Sequence, residues 1–122
     1  MADKKAMDSS HADILNLATA LDRVGGDEEL LEEVAQLFLE TSPELLAAIR
    51  QAVASRDAAL LERAAHTLKG SVGNFAADRA YQAAFRLEKL GRSGELASVE
   101  EAFSVLEREL ERLRPALAGL GK

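Results

Sequence analysis

AAHTLKGSVGNF, residues 64–75, has the spacing of an amphipathic helix and decides the fold. Its apolar side begins one turn earlier and recurs every three or four positions, as packing on a core requires: Leu61, Ala64 or Ala65, Leu68, Val72 and Phe75. The opposite side carries His66, Lys69, Gly70 and Gly73. Because residues three and four apart are neighbours on a helix, the imidazole is predicted beside a cation and above two glycines. A glycine inside a helix costs about 1 kcal/mol relative to alanine. We therefore interpret Gly70 and Gly73 as a surface patch without side chains, where another group approaches the helix backbone closely.

Two helices are predicted before this segment. Residues 11–24 have one apolar side and are followed by Gly25-Gly26, which is typical of a helix end. Asp27 is predicted to cap a second helix. Pro43 interrupts the sequence of this second helix, but the apolar stripe continues beyond it. We therefore expect one long helix that is kinked or briefly broken near Pro43 and reaches about residue 55.

Two helices connected by a tight turn are predicted in the middle of the chain. Asp57 is expected to cap the histidine-bearing helix, which ends near Phe75-Ala76. Asp78 is expected to cap the next helix over residues 79–90, with Gly91 as its stop signal. The order of caps and stops predicts that these two helices run antiparallel as a hairpin.

A last helix is predicted to begin between Glu95 and Val99, because Ser98-Val99-Glu100-Glu101 is a capping box, and Pro115 is expected to weaken or end it. The predicted fold is all-α. It is an antiparallel up-down-up-down four-helix bundle with an additional short N-terminal helix laid across one end. Residues 11–118 are expected to form this single domain, and residues 1–10 to be disordered.

Composition excludes several classes of function. The 122 residues contain no cysteine, which excludes disulfides, thiolate metal sites and thiol catalysis. The apolar runs are too short to span a bilayer and the N-terminus lacks a signal core, so no membrane association and a cytoplasmic location are expected. The net charge of −6 argues against nucleic acid as a partner.

The charges are unevenly distributed along the chain. Residues 56–92 hold seven basic and four acidic side chains, a net of +3, and the remainder holds eight basic and seventeen acidic, a net of −9. Two explanations remain open. The distribution is either chance on solvated helix faces, or it steers an acidic partner toward His66.

The predicted hairpin places a carboxylate opposite the histidine. If the turn is centred near Ala77, position 66 lies across from position 88, which is glutamate. A carboxylate that accepts a hydrogen bond from one imidazole nitrogen fixes the tautomer and leaves a lone pair on the other nitrogen. Such a nitrogen can attack phosphorus, and Lys69, one turn away, can offset the negative charge that arrives.

Other interpretations of these residues compete with this one. The glycines are also consistent with tight helix packing, and Glu88 with a simple ion pair to Arg92 four residues on. A structural adaptor is an alternative if the His66 ring is buried. A general-base enzyme is another if a pocket of a few hundred Å³ adjoins the ring. The sequence shows no hydrolytic triad, no paired metal-ligand motif and no nucleotide loop, and His11 has no companion residues.

The segment around the histidine resembles the signature of histidine-containing phosphotransfer (HPt) domains. The similarity rests on Ala65-His66-Thr67-Leu68-Lys69-Gly70-Ser71, on Asn74-Phe75-Ala76-Ala77, and on Leu87-Glu88. It extends over roughly residues 12–114, since other characteristic residues also occur where that family tends to have them: Gly25-Gly26-Asp27, Phe38, Pro43 and Asp57.

The resemblance implies a phosphorelay intermediate. His66 would accept a phosphoryl group from a receiver aspartyl phosphate, or from a kinase domain, and pass it to an aspartate of a response-regulator receiver. Lys69 carries over as the electrostatic neighbour, Gly70 as the gap for close approach, and Glu88 as the carboxylate that holds the imidazole. The expected partners are receiver domains and a hybrid sensor histidine kinase. The resemblance also implies Mg²⁺ on the receiver and no metal or cofactor on this chain, no autonomous kinase activity, and a monomer.

Overall fold

A computed structural model describes residues 15–121 of the chain. These residues form five α-helices and a final 3₁₀ turn, which follow one another along the chain as α1 Leu17–Arg23, α2 Glu28–Ser55, α3 Ala58–Gly73, α4 Asp78–Ser93, α5 Val99–Ala118 and the 3₁₀ turn Gly119–Gly121. Among them, no helix is both long and apolar enough to cross a lipid bilayer. The expectation for residues 1–10, residues 11–14 of the first predicted helix and the surroundings of His11 lie outside the described residues. Within the described part, that helix begins only at Leu17, with Asn16 as its N-cap, so the prediction that residues 15 and 16 are helical is wrong.

Helices α2 to α5 form the predicted four-helix bundle. Each packs on its predecessor, and α5 returns to α2, which closes the ring. One fully buried aliphatic side chain from each helix occupies the core: Ile49, Leu68, Leu87 and Leu106. The short connections between successive helices agree with the up-down-up-down order, and α1 packs on α2. The all-α fold class is therefore confirmed.

The helix starts follow the predicted caps in two cases and differ in a third. Asp27 accepts a hydrogen bond from the backbone N–H of Leu30 at 3.0 Å, and Asp57 from that of Leu60 at 3.1 Å. Asp78 is not a cap. It is the first residue of α4, and Ala77 occupies the N-cap position without a side-chain hydrogen bond. A carboxylate in the first turn is favourable at the positive end of the helix dipole, so the same residue type serves one position further along.

The sequence predicted that Gly91 ends α4, and this prediction is wrong. The helix continues to Ser93, and Gly94 ends it in the left-handed conformation at φ +75°. Gly91 is buried against α3, where a Cβ on it would lie 2.7 Å from the backbone nitrogen of Glu62 and 2.9 Å from the carbonyl oxygen of Ala58. The absence of a side chain at Gly91 therefore serves close packing of two helix backbones rather than a helix end.

The two prolines lie inside helices. The predicted long helix is confirmed as α2, which runs through Pro43 to Ser55. α5 begins at Val99, within the predicted range, and continues through Pro115 to Ala118, so Pro115 does not end it. Ser98 is at the N-cap of α5, although its side chain makes no capping hydrogen bond.

The turn after α3 differs from the expected helix end. α3 stops at Gly73, two residues before the predicted end, and the chain then turns. Phe75 is nevertheless fully buried, as predicted, and meets Phe38 of α2 edge to face with 5.6 Å between ring centroids. This turn fixes α4 antiparallel to α3, which brings position 88 back to the level of position 66.

Candidate functional site

The site begins with an exposed imidazole held by a buried carboxylate. The side chain of His66 on α3 is 66% exposed, whereas that of Glu88 on α4 is 2% exposed. The Nδ1 atom of His66 lies 2.9 Å from Oε2 of Glu88. The predicted contact between positions 66 and 88 is therefore present. The buried ring that would have favoured a structural adaptor is not observed.

Lys69 lies in a different place from the one its sequence position suggested. The sequence placed Lys69 on the exposed face of the helix together with His66, but its side chain is only 16% exposed. The Nζ atom lies 2.7 Å from Oε1 of Glu88 and 4.6 Å from the ring centroid of Phe85. The physical reason is that a buried carboxylate needs a nearby cation, and the aromatic ring offers a favourable surface to that cation.

Arg92 is a further member of the site. Its Nη2 atom donates to Oε2 of Glu88 at 2.8 Å, and its Nε atom donates to Oε2 of Glu62 at 3.0 Å. The pair of Glu88 with Arg92, which the sequence offered as an alternative to the contact with His66, exists together with that contact. The cross-helix pair with Glu62 was missed by the sequence analysis. The signal for it was the antiparallel hairpin itself, because residues 62 and 92 have the same sum of positions as 66 and 88.

Glu88 is ionised by the combined effect of these neighbours. Burial by itself raises the pKa of the Glu88 carboxyl group, but the hydrogen bonds and charges of Lys69 and His66 outweigh burial and leave that pKa below its usual value. In the same network, the hydrogen bond to Glu62 raises the pKa of Arg92. The ionised carboxylate accepts the hydrogen bonds of His66 and Arg92 through Oε2 and forms an ion pair with the Lys69 ammonium through Oε1.

The ionisation of Glu88 determines which nitrogen of His66 carries the proton. An ionised carboxylate only accepts hydrogen bonds, so Nδ1 of the neutral imidazole must be the donor in this contact. The lone pair then lies on Nε2. The arrangement prepares Nε2 as a nucleophile on an exposed ring, because the hydrogen bond from Nδ1 to Glu88 fixes the tautomer of the imidazole.

The two glycines of the exposed face differ in what surrounds them. A Cβ built on Gly70 would meet nothing within 4 Å, so the surface beside His66 is open there. A Cβ on Gly73 would lie 3.7 Å from the Tyr81 ring, and the Gly73 carbonyl accepts a hydrogen bond from Arg23 of α1. The patch predicted at the two glycines is therefore formed by Gly70, while Gly73 is partly covered.

An open depression adjoins the histidine between α3 and α4. Its volume is about 570 Å³, and its lining includes Glu62, Arg63, His66 and Arg92. The concave surface that a general-base enzyme would need is therefore present, so the shape of the site alone does not separate that alternative from phosphotransfer. Among residues 15–121, no group of three or more carboxylate and histidine side chains has an arrangement that could hold a metal ion.

Comparison with known proteins identifies the family. The sequence model of the Hpt domain family matches residues 33–116, which is more than half of the chain. The fold is similar to the crystal structure of histidine-containing phosphotransfer protein B (HptB) from Pseudomonas aeruginosa PAO1, with a TM-score of 0.79 and 25% sequence identity. The match covers 86% of this chain and 91% of HptB. A comparison with curated protein sequences found no significant match.

The chain therefore belongs to the Hpt domain family, which confirms the resemblance drawn from the sequence. It is a histidine phosphotransfer intermediate of a phosphorelay. Members of this family carry phosphoryl groups within two-component systems, where response regulators and kinases are their partners.

Proposed function

We propose that His66 is the residue that carries the phosphoryl group, and that Nε2 is the atom that accepts it. The observation that supports this most strongly is the contact of Nδ1 with the buried, ionised Glu88, because it leaves the lone pair on Nε2 of a ring that is 66% exposed. The other described residues of the site fit the same role.

The transfer needs one bond to form and one to break. The Nε2 lone pair attacks phosphorus, and the bond between phosphorus and the aspartyl oxygen of the donor receiver breaks as the aspartate leaves with the electron pair. The Nδ1 proton stays on the ring, where Glu88 Oε2 accepts its hydrogen bond at 2.9 Å. The reverse exchange, with a second receiver aspartate as acceptor, passes the group onward.

Glu88, Lys69 and Gly70 have separate supporting roles in this proposal. Glu88 holds the imidazole in the reactive tautomer and stabilises the positive charge that develops on the ring. Lys69 keeps Glu88 ionised and adds positive charge near the incoming phosphoryl group. Gly70 leaves the surface open, so that the receiver's active site can reach the ring.

The partners proposed are a response-regulator receiver domain on each side of the exchange and a hybrid sensor histidine kinase as the source. The net charge of +3 over residues 56–92 would favour the approach of an acidic receiver. We propose that the Mg²⁺ required for transfer belongs to the receiver. The chain is proposed to act as a monomeric, cytoplasmic carrier without autonomous kinase activity.

The test is phosphoryl transfer from a phosphorylated receiver to the full chain and two variants. His66→Gln is expected to abolish acid-labile labelling while circular dichroism shows unchanged helicity. His11→Gln removes the only other histidine and is the matched control, which is expected to label normally. Labelling that persists in His66→Gln, or disappears in His11→Gln, would contradict the assignment of His66.

A further inference from the structure

An aromatic ring lies against the Lys69 ammonium. Phe85 of α4 is partly buried, and its ring centroid is 4.6 Å from Nζ of Lys69, within the distance at which a ring face attracts a cation. The same Nζ atom lies 2.7 Å from Oε1 of Glu88, three residues further along α4. The ammonium is therefore located between a carboxylate and a ring that both belong to the facing helix.

Tyr81 extends this aromatic surface toward the end of α3. Its ring centroid is 6.3 Å from that of Phe85 and 5.9 Å from Nζ of Lys69. The Tyr81 ring also lies beside Gly73, where a Cβ would be 3.7 Å from it. The second glycine of the histidine helix therefore faces an aromatic side chain of α4, and Tyr81 packs on Phe85 from the side away from Glu88.

The ion pair with Glu88 does not by itself fix the Lys69 side chain. A lysine ammonium is a compact charge on a flexible four-carbon stem, and it can turn away from one anion to water. The contact with Phe85 adds a second attraction, which acts only while the ammonium stays over the ring. Both attractions are satisfied at one position of Nζ, and in that position the side chain is only 16% exposed.

We infer that Phe85 is a positioning residue for phosphoryl transfer, because its ring holds the Lys69 ammonium against Oε1 of Glu88. The inference rests on the proposed phosphorylation of His66. While Lys69 is held there, Glu88 keeps its compensating charge, and Oε2 accepts the hydrogen bond of His66 Nδ1. Phe85 thus acts on the imidazole through Lys69 and Glu88.

The first test separates the aromatic face of Phe85 from its volume. Phe85→Leu removes the face and keeps an apolar side chain, so single-turnover transfer from a phosphorylated receiver is expected to slow about two- to fivefold, the effect of a partly exposed cation–π contact. Phe85→Tyr keeps the face and is expected to restore the wild-type rate. The fraction of neutral His66 that carries its proton on Nδ1, measured by heteronuclear NMR, is expected to fall in Phe85→Leu and to recover in Phe85→Tyr.

Fluorination of the ring tests the same contact without a change of packing. A phenylalanine with two ring fluorines, incorporated at position 85, attracts a cation less strongly but keeps nearly the same shape. Transfer is expected to slow as in Phe85→Leu. A role of Phe85 in packing alone would leave the rate unchanged. This result does not depend on whether Phe85→Leu folds normally, which circular dichroism reports.

The neighbouring side chains provide the controls. Lys89→Met removes an exposed cation whose Nζ atom is also 4.6 Å from the Phe85 centroid, and Tyr81→Leu removes the more distant ring. Both are expected to slow transfer less than Phe85→Leu does. In a Lys69→Met background, Phe85→Leu is expected to have no further effect, because Phe85 acts through Lys69.

Three results would overturn the inference about Phe85. They are a normal transfer rate with the fluorinated ring, a rate that Phe85→Tyr does not restore, and an effect of Phe85→Leu that persists in the Lys69→Met background. If the wild-type protein takes no label at His66, the proposed function fails first.

Discussion

The Nζ atom of Lys69 lies 2.7 Å from Oε1 of Glu88, across the interface between α3 and α4. The same carboxylate accepts from His66 and Arg92 through its other oxygen. One buried carboxylate thus organises three side chains, two from α3 and one from α4. The reactive state of the histidine and the packing of the hairpin consequently depend on the same group.

Replacing Lys69 is therefore expected to affect stability as well as transfer. Lys69→Met keeps an apolar stem over Phe85 but removes the charge that compensates Glu88. We expect the free energy of unfolding to fall by about 1–3 kcal/mol, the usual cost of leaving a buried polar group without a partner. Phosphoryl transfer is expected to slow in parallel. Urea unfolding and transfer kinetics measure the two effects.

Lys89 offers a matched control for Lys69. Its Nζ atom also lies 4.6 Å from the Phe85 ring centroid, but Lys89 is on the exposed side of α4. Lys89→Met is expected to change the free energy of unfolding by less than about 0.5 kcal/mol, as surface substitutions usually do. If the Lys69→Met variant were as stable as the wild-type protein, the Lys69 ammonium would contribute no more to the free energy of unfolding than a solvent-exposed ammonium does.

The lowered pKa of Glu88 predicts a pH-dependent contribution to stability. Because this pKa is lower in the folded protein than the usual 4.5, the ionised carboxylate stabilises the fold above about pH 4.5, and this contribution is lost as the pH falls through the folded pKa. The difference in free energy of unfolding between the wild-type protein and Glu88→Gln is expected to be largest near pH 7 and to shrink toward pH 3.

The facing groups determine how this pH experiment is controlled. Lys69, Arg92 and His66 are the ionisable side chains that contact the Glu88 carboxylate. The comparison is therefore repeated in a His66→Gln background, where the same narrowing below pH 4.5 is expected. A difference that stays constant from pH 7 to pH 3 would show that Glu88 is not preferentially ionised in the folded state.

The sequence predicted the parts of the site that follow from helical periodicity. The exposure of His66 follows from the helical repeat of 3.6 residues. The position of Glu88 opposite His66 follows from where the connection between α3 and α4 lies in the sequence. The position of the Lys69 ammonium did not follow, because it depends on where Glu88 and Phe85 lie on another helix. A pattern within one helix does not contain that information.

Gly91 illustrates the same limit for the fold. A glycine near the end of an amphipathic stretch is typical of a helix stop, and the sequence does not show whether a second backbone lies against it. In the structure Gly94, three residues further on, provides the left-handed end, and Gly91 provides the close contact with α3. The distinction depends on interhelical distance, which is set by all the side chains of the interface together.

Gly91→Ala is accordingly expected to destabilise the protein. The new Cβ would lie 2.7 Å from the Glu62 nitrogen and 2.9 Å from the Ala58 oxygen, and both are backbone atoms that cannot move alone. Alanine is favoured over glycine in a helix by about 1 kcal/mol. Overpacking that forces the two helices apart costs about 1–3 kcal/mol and would exceed this gain. We expect separation, with a net loss that thermal unfolding detects. A higher melting temperature would show that Gly91 acts as an ordinary helical glycine.

Gly70→Gln, unlike Gly91→Ala, is expected to raise the stability of the protein while slowing phosphoryl transfer. A Cβ on Gly70 meets nothing within 4 Å, so the substitution fits, and replacing a helical glycine adds up to about 1 kcal/mol to the free energy of unfolding. The longer side chain would nevertheless stand beside His66, one turn along the helix, and obstruct the receiver's approach. We therefore expect a more stable protein that transfers phosphoryl groups roughly tenfold more slowly.

Gly70→Ala separates the steric effect of the glutamine side chain from the change in helix propensity. It adds the same propensity gain with a single methyl group, so its stability is expected to match that of Gly70→Gln while its transfer rate stays closer to that of the wild-type protein. Thermal unfolding and single-turnover transfer from a phosphorylated receiver give both quantities for each variant. Because Gly70 has open space around it, a change in rate cannot be attributed to disturbed packing. A normal rate in Gly70→Gln would therefore remove the argument that the receiver needs the bare surface beside the histidine.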